Sequence, residues 1–170
     1  MLIKIAKFMK IKIIILILSL ISGCSYSVYT TGYPHLKTIS ILPIGNKTEK
    51  YELRDLVFDE LVTDFDSDGR LKLVSLSPDC QLECSIKDYS DKIYSYSGSS
   101  VNEYKVRILF SVTFTDLINN LILWQDESLM LSEIYSLSNE NSQFKSEDEV
   151  QEEIIEKLFE TIMKNTLEGW

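Results

Sequence analysis

Apolar residues recur along this chain with two different periods, and each period places elements. From Tyr104 to Phe114 they alternate. Tyr104, Val106, Ile108, Phe110, Val112 and Phe114 fall on one side; Lys105, Arg107, Ser111, Thr113 and Thr115 fall on the other, with Leu109 the one apolar residue among them. A period of two predicts a strand with one face on a core and one in water. Cys80 to Tyr89 has the same period, with Cys80, Leu82, Cys84 and Ile86 on one side. Between these runs, Ser90 to Asn102 is rich in Ser and Tyr and predicts a long, exposed hairpin tip. Asn119-Asn120 predicts a turn, because Asn tolerates positive φ. Leu121 to Tyr135 then returns as a strand, with Trp124 read as core. Shorter runs predict strands at Thr38 to Ile44, with Pro43 near its end, and at Arg70 to Ser75. Gly45 to Lys50 reads as a turn.

Spacings of three and four mark two helices. In Glu52 to Asp66, Leu53, Leu56, Val57, Leu61 and Phe65 form one stripe, and Asp68-Gly69 stops the helix. After a polar linker, Ser138 to Lys145, Ser146-Glu-Asp-Glu149 matches a capping box. Val150, Ile154, Leu158 and Ile162, joined by Ile155 and Phe159, carry the last helix to about Leu167, with Glu149, Glu152, Glu153, Glu156 and Glu160 on its other face. The order strand, helix, several strands, helix predicts an α+β two-layer sandwich. Both helices cover the apolar face of a mostly antiparallel sheet.

The N-terminus has a different logic. Lys4, Lys7, Lys10 and Lys12 precede a short apolar run, Ile13 to Ile21, that is too short to span a bilayer and suits a signal sequence. It ends in Ile21-Ser22-Gly23-Cys24, which resembles a bacterial lipobox. On that reading residues 1–23 are removed and Cys24 carries diacylglycerol and N-acyl chains, enough for firm anchoring. Ser25 rather than Asp after the cysteine favours the outer membrane, on its periplasmic face. Residues 24–36, with three tyrosines, Gly32 and Pro34, read as a lipidated tether, and 37–170 as a single domain. Removal of residues 1–23 takes four lysines and no acid, leaving 13 basic against 26 acidic residues and a net charge of −13. A chain this acidic is a poor nucleic-acid binder, since such binding displaces counterions with a basic face.

Catalytic chemistry has little to stand on. There is no Gly-x-Ser-x-Gly, no His-Glu-x-x-His and no phosphate-cradling glycine loop. The single histidine, His35, lies in the tether and reads as solvated; a hydrolase would need it as a base. Cys80 and Cys84 point the same way on a strand but lie about 13 Å apart, beyond disulfide reach, and read as small buried hydrophobes. No metal or other cofactor is expected. The acidic helix faces read as solvated. Asn46-Lys47-Thr48 matches a glycosylation sequon, which means little in a bacterial cell. Tyr89, Tyr94 and Tyr96 make the hairpin tip either an interface or a plain flexible loop.

Taken in order, the motifs suggest a family. A lipobox leads to a strand entering Pro43-Ile-Gly-Asn46-Lys-Thr48, then a helix into Asp68-Gly69-Arg70-Leu71-Lys-Leu-Val74. A long strand ends in Val112-Thr-Phe-Thr-Asp116, Leu123-Trp124 follows a turn, and the chain closes on Leu167-Glu-Gly-Trp170. This set resembles the LptE family of lipopolysaccharide-assembly outer-membrane lipoproteins. The resemblance implies two helices on a four-stranded sheet. It also implies a non-catalytic role as plug and assembly partner in the lumen of the β-barrel translocon LptD, with possible binding of lipopolysaccharide. The same opening motifs resemble lipoproteins that activate peptidoglycan synthases and the curli-secretion pore subunit.

Lipopolysaccharide is anionic, so an acidic chain needs a local basic patch to meet it. Lys92, Lys105 and Arg107 sit around the tip, with Lys105 and Arg107 projecting to the same side. With Tyr94 and Tyr96 they are the candidate contacts for a partner or for lipopolysaccharide. Ordinary solvated charges would show the same pattern, so plug and scaffold is favoured over lipid carrier.

Overall fold

The computed structural model describes residues 32–97, 100–136 and 145–168. The expected signal sequence, Cys24, most of the expected tether, residues 98–99 at the hairpin tip, the expected linker at 137–144 and residues 169–170 lie outside the described residues.

In chain order the elements are β1 (Thr38–Ile41), β2 (Gly45–Asn46), α1 (Glu52–Asp68), β3 (Lys72–Leu73), β4 (Cys80–Ser97), β5 (Ser100–Asp116), β6 (Leu121–Ser136) and α2 (Glu147–Thr166). The strands form one mixed sheet of order β3-β1-β4-β5-β6, with β2 also on β4. This corrects the expected four-stranded, mostly antiparallel sheet. The antiparallel part is there, β4 against β5 and β5 against β6. The short strands β1, β2 and β3 add parallel pairs that the hydrophobic pattern does not distinguish from antiparallel ones.

Pro43 explains why the first predicted strand is two. It lacks an amide hydrogen, so pairing stops before it. The chain then resumes on β4 with an extra residue: Ile41 faces Leu82, but Gly45 faces Ser85. Gly45, expected in a turn, is therefore a strand residue. A Cβ built there would lie 2.8 Å from Ser85 Oγ, so a glycine suits the position.

The tip also differs. Strand pairing continues through most of Ser90 to Asn102, so β4 and β5 form a ribbon about 55 Å long rather than a loop. Three register shifts interrupt it, between Ile86 and Asp88 and on both sides of Ser95.

Both helices lie on one face, as the amphipathic patterns require. Leu53, Val57, Leu61 and Phe65 of α1 are fully buried, with Val150, Ile154, Ile155, Leu158 and Ile162 of α2. They cover Cys80, Leu82, Cys84 and Ile86 of β4 and the alternate residues Val106 to Phe114 of β5. Phe65 meets Phe159 edge-on at 4.9 Å between ring centroids, joining the helices. Trp124 is half-buried against this core. Gly69 ends α1 with φ 70, donating its N–H to the Phe65 carbonyl. The capping box forms: Ser146 Oγ accepts the Glu149 N–H, and the Glu149 carboxylate accepts the Ser146 N–H.

Candidate functional site

The outward face of the ribbon gathers the predicted cations. Val106 and Ile108 are buried against the helices, so Lys105 and Arg107 point outward. Across the β4–β5 ladder Lys92 is the direct partner of Lys105, and Ser90 of Arg107. The Lys105 ammonium lies over the Tyr94 ring at 5.6 Å. Thus Lys92, Tyr94, Lys105 and Arg107 come together on one surface, drawn from two strands. Tyr96 stands two residues nearer the tip, beyond a register shift, and is largely exposed.

The patch is basic only on balance: Lys92, Lys105 and Arg107 share the outward face with Asp88, opposite Leu109, and with Glu103. Asp91, beside Lys92 in sequence, faces the helix side and accepts a hydrogen bond from the Tyr135 hydroxyl at 2.7 Å. Tyr135 stacks on Tyr104, and burial followed by the Asp91 contact pushes its phenol well up. Glu103, on the outward face, accepts the Ser95 hydroxyl. Among the described residues, no ion pair engages Lys92, Lys105 or Arg107. Like charges directly opposed across a ladder are destabilising. A cross-strand Lys92–Lys105 pair is therefore a feature that an anionic surface would relieve.

Tyr89 does not join the patch. Its hydroxyl donates to Glu147 at 2.5 Å, Gln151 donates to it in turn, and Lys50 lies over its ring. Lys50 also pairs with Glu147, whose carboxyl is held below its usual range by Lys50 and Tyr89. Sequence patterning missed this network, which fastens the end of the β2 loop and strand β4 to the first turn of α2.

His35 is exposed, as expected, but the patterning missed the bond it makes. His35 Nε2 lies 2.7 Å from the buried Asp116 Oδ2, and Asn119 Nδ2 reaches both. Leu36, at the end of the expected tether, is buried in the core. Burial opposes ionisation of Asp116, but hydrogen bonds from His35, Asn119 and Ile118 outweigh it and hold the carboxyl at about 2. Asp79 nearby accepts the backbone N–H groups of Lys37 and Thr38. No local signal in the sequence links these positions.

Cys80 and Cys84 are free and buried, in line with their reading as small hydrophobes. The acids of the two helices partly converge: Glu60, Asp64, Glu149, Glu152, Glu153 and Glu156 line a cleft with Lys145. Burial, then the charges of Glu60 and Glu156, raises Asp64 above its usual range. Among the described residues, no group of three or more His, Cys, Asp or Glu is placed to hold a metal ion.

A two-helix α+β sandwich of this kind occurs in several bacterial proteins. The hypothetical protein CT253 of Chlamydia trachomatis is 14% identical, with TM-score 0.54 over 76% of this chain and 97% of that one. Uncharacterized lipoprotein B of Nitrosomonas europaea is also 14% identical, with TM-score 0.51 over 76% of this chain and 83% of that one. Protein XCC0632 of Xanthomonas campestris is 10% identical, with TM-score 0.53 over 80% and 91%. At these identities the likeness is one of fold. No curated protein matches the chain in sequence. The family assignment comes from the sequence profile of LptE, lipopolysaccharide-assembly, which matches residues 36–166. The chain belongs to that family, a lipoprotein family of the bacterial envelope.

Proposed function

We propose that the protein is an outer-membrane lipoprotein, acylated at Cys24, that plugs the LptD β-barrel translocon and supports its assembly. The family match over residues 36–166 carries this reading. The ribbon supports it physically. Its basic and aromatic outward face, Lys92, Tyr94, Tyr96, Lys105 and Arg107, offers contact to the barrel lumen or to passing lipopolysaccharide. The opposed Lys92–Lys105 pair is the observation that favours an anionic counterpart at this spot. The role is non-catalytic.

A tagged chain with Cys24 intact, extracted in mild detergent, tests the proposal. A co-purifying barrel of translocon size is expected, with crosslinks from a photoreactive residue at Tyr94 or Tyr96 mapping to its lumen. Recovery of a peptidoglycan synthase, or of this chain alone, overturns it.

A further inference from the structure

The sheet ends differently on its two sides. At one edge β3 is two residues long, too short to template another chain. At the other edge β6 runs from Leu121 to Ser136, and among the described residues no strand pairs with its outer side. Two register shifts against β5 interrupt its first part, between Ile122 and Trp124 and between Asp126 and Leu129. From Leu129 to Tyr135 the pairing with β5 is continuous, so about 23 Å of regular backbone borders this edge. Natural sheet edges are blunted by lysine, proline, bulges or inward charges. Leu129-Met-Leu-Ser-Glu-Ile-Tyr135 has no lysine, proline or bulge, and its one charge, Glu133 on the helix side, is paired with Lys157 of α2.

The core is open along the same stretch. Ile108 and Phe110 of β5 are fully buried, whereas their partners Leu131 and Leu129 on β6 are only half-buried. A further strand would take the rest of these two side chains out of water and pair the outward N–H and C=O groups of β6. On the opposite face Met130, Ser132 and Ile134 lie beside Leu109, Arg107 and Lys105. The edge is therefore continuous with the basic patch. Every second side chain of an added strand would meet this row. Ser132 is small, and two strand spacings, about 10 Å, are a span that a glutamate and Arg107 bridge together. Met130, 60% exposed, and Ile134 offer apolar contact on either side.

We infer that the Leu129–Tyr135 edge accepts an extended, inward-folded segment of the barrel protein as a further strand of the sheet, with apolar side chains toward α2 and an acidic one facing Ser132. The inference rests on the plug reading and names the contact that reading needs. Backbone pairing supplies the affinity of such an added strand, and the alternating side chains fix its register. Leu129 and Leu131 select for apolar residues on one face, and Arg107 and Lys105 for acid on the other.

The test compares the full acylated chain alone with the same chain co-purified with the barrel, both in one mild detergent. Amide hydrogen exchange, read by mass spectrometry on peptides covering 129–135, is expected to slow at least tenfold at the outer amides of the complex. A photoreactive residue placed in turn at Met130, Ser132 and Ile134 is expected to mark positions two residues apart, in one direction, along a single barrel segment. A barrel that co-purifies with exchange at 129–135 unchanged, or with crosslinks scattered over several of its strands, overturns strand addition and leaves the plug reading intact. The same protection in the chain alone, where it sediments as a dimer, overturns it in favour of a second copy of this chain. Recovery of no barrel at all sinks the plug reading and this inference together.

Discussion

His35 Nε2 lies 2.7 Å from Asp116 Oδ2, joining residues 81 positions apart. The contact fastens the incoming chain to the β5–β6 turn, and Asp116 pays for its burial with bonds from His35, Asn119 and Ile118.

This geometry predicts an acid-labile contribution to stability. The folded carboxyl sits at about 2, below the unfolded value near 3.9. A depressed folded value means stability is fully present above about pH 4 and is lost as the pH falls from there toward about 2. Urea midpoints across that range should flatten in Asp116→Asn. His35→Ala, measured at pH 7, should cost about 1 kcal/mol.

The opposed lysines predict a trade between stability and binding. Lys105→Glu removes the like-charge pair with Lys92 and should raise the stability of the isolated domain by a few tenths to about 1 kcal/mol. The same variant should recover less barrel in the detergent pull-down. A midpoint that falls, or unchanged recovery, would count against the patch as a contact.

The buried cysteines should be inert. Burial pushes both thiols up to about 12, so the reactive thiolate is scarce at neutral pH. In a Cys24→Ser form, iodoacetamide at pH 8 should leave the native protein unmodified and label two thiols once denaturant is added. Rapid labelling of the native state would contradict the packing of Cys80 and Cys84.

Phe65 is the point where α1 meets α2. It is fully buried, and its ring meets Phe159 edge-on. Phe65→Ala should cost about 3–5 kcal/mol, read from equilibrium denaturation.

Much of the fold was legible because it is written in short-range periods. The stripe Leu53, Val57, Leu61, Phe65 and the alternation from Val106 to Phe114 place buried faces without knowledge of what covers them. The capping box at Ser146 and the stop at Gly69 are decided within a few residues. The placement of Lys105 and Arg107 on one side followed from the same period.

Tertiary structure decided what depends on pairs far apart in the chain. Whether β1, β2 and β3 run parallel or antiparallel to β4 is set by how the chain crosses through α1, and short apolar runs read alike in both directions. The placement of Lys92 opposite Lys105 depends on hairpin register, which shifts at Ile86 and again at Ser95. His35 is exposed as its polar stretch implies, but its bond to Asp116 was not legible because that partner is 81 residues away and buried. Local sequence determines which side chains must be hidden. The packed sheet determines which polar groups they are hidden with, because a buried carboxylate must find its donors wherever the fold brings them.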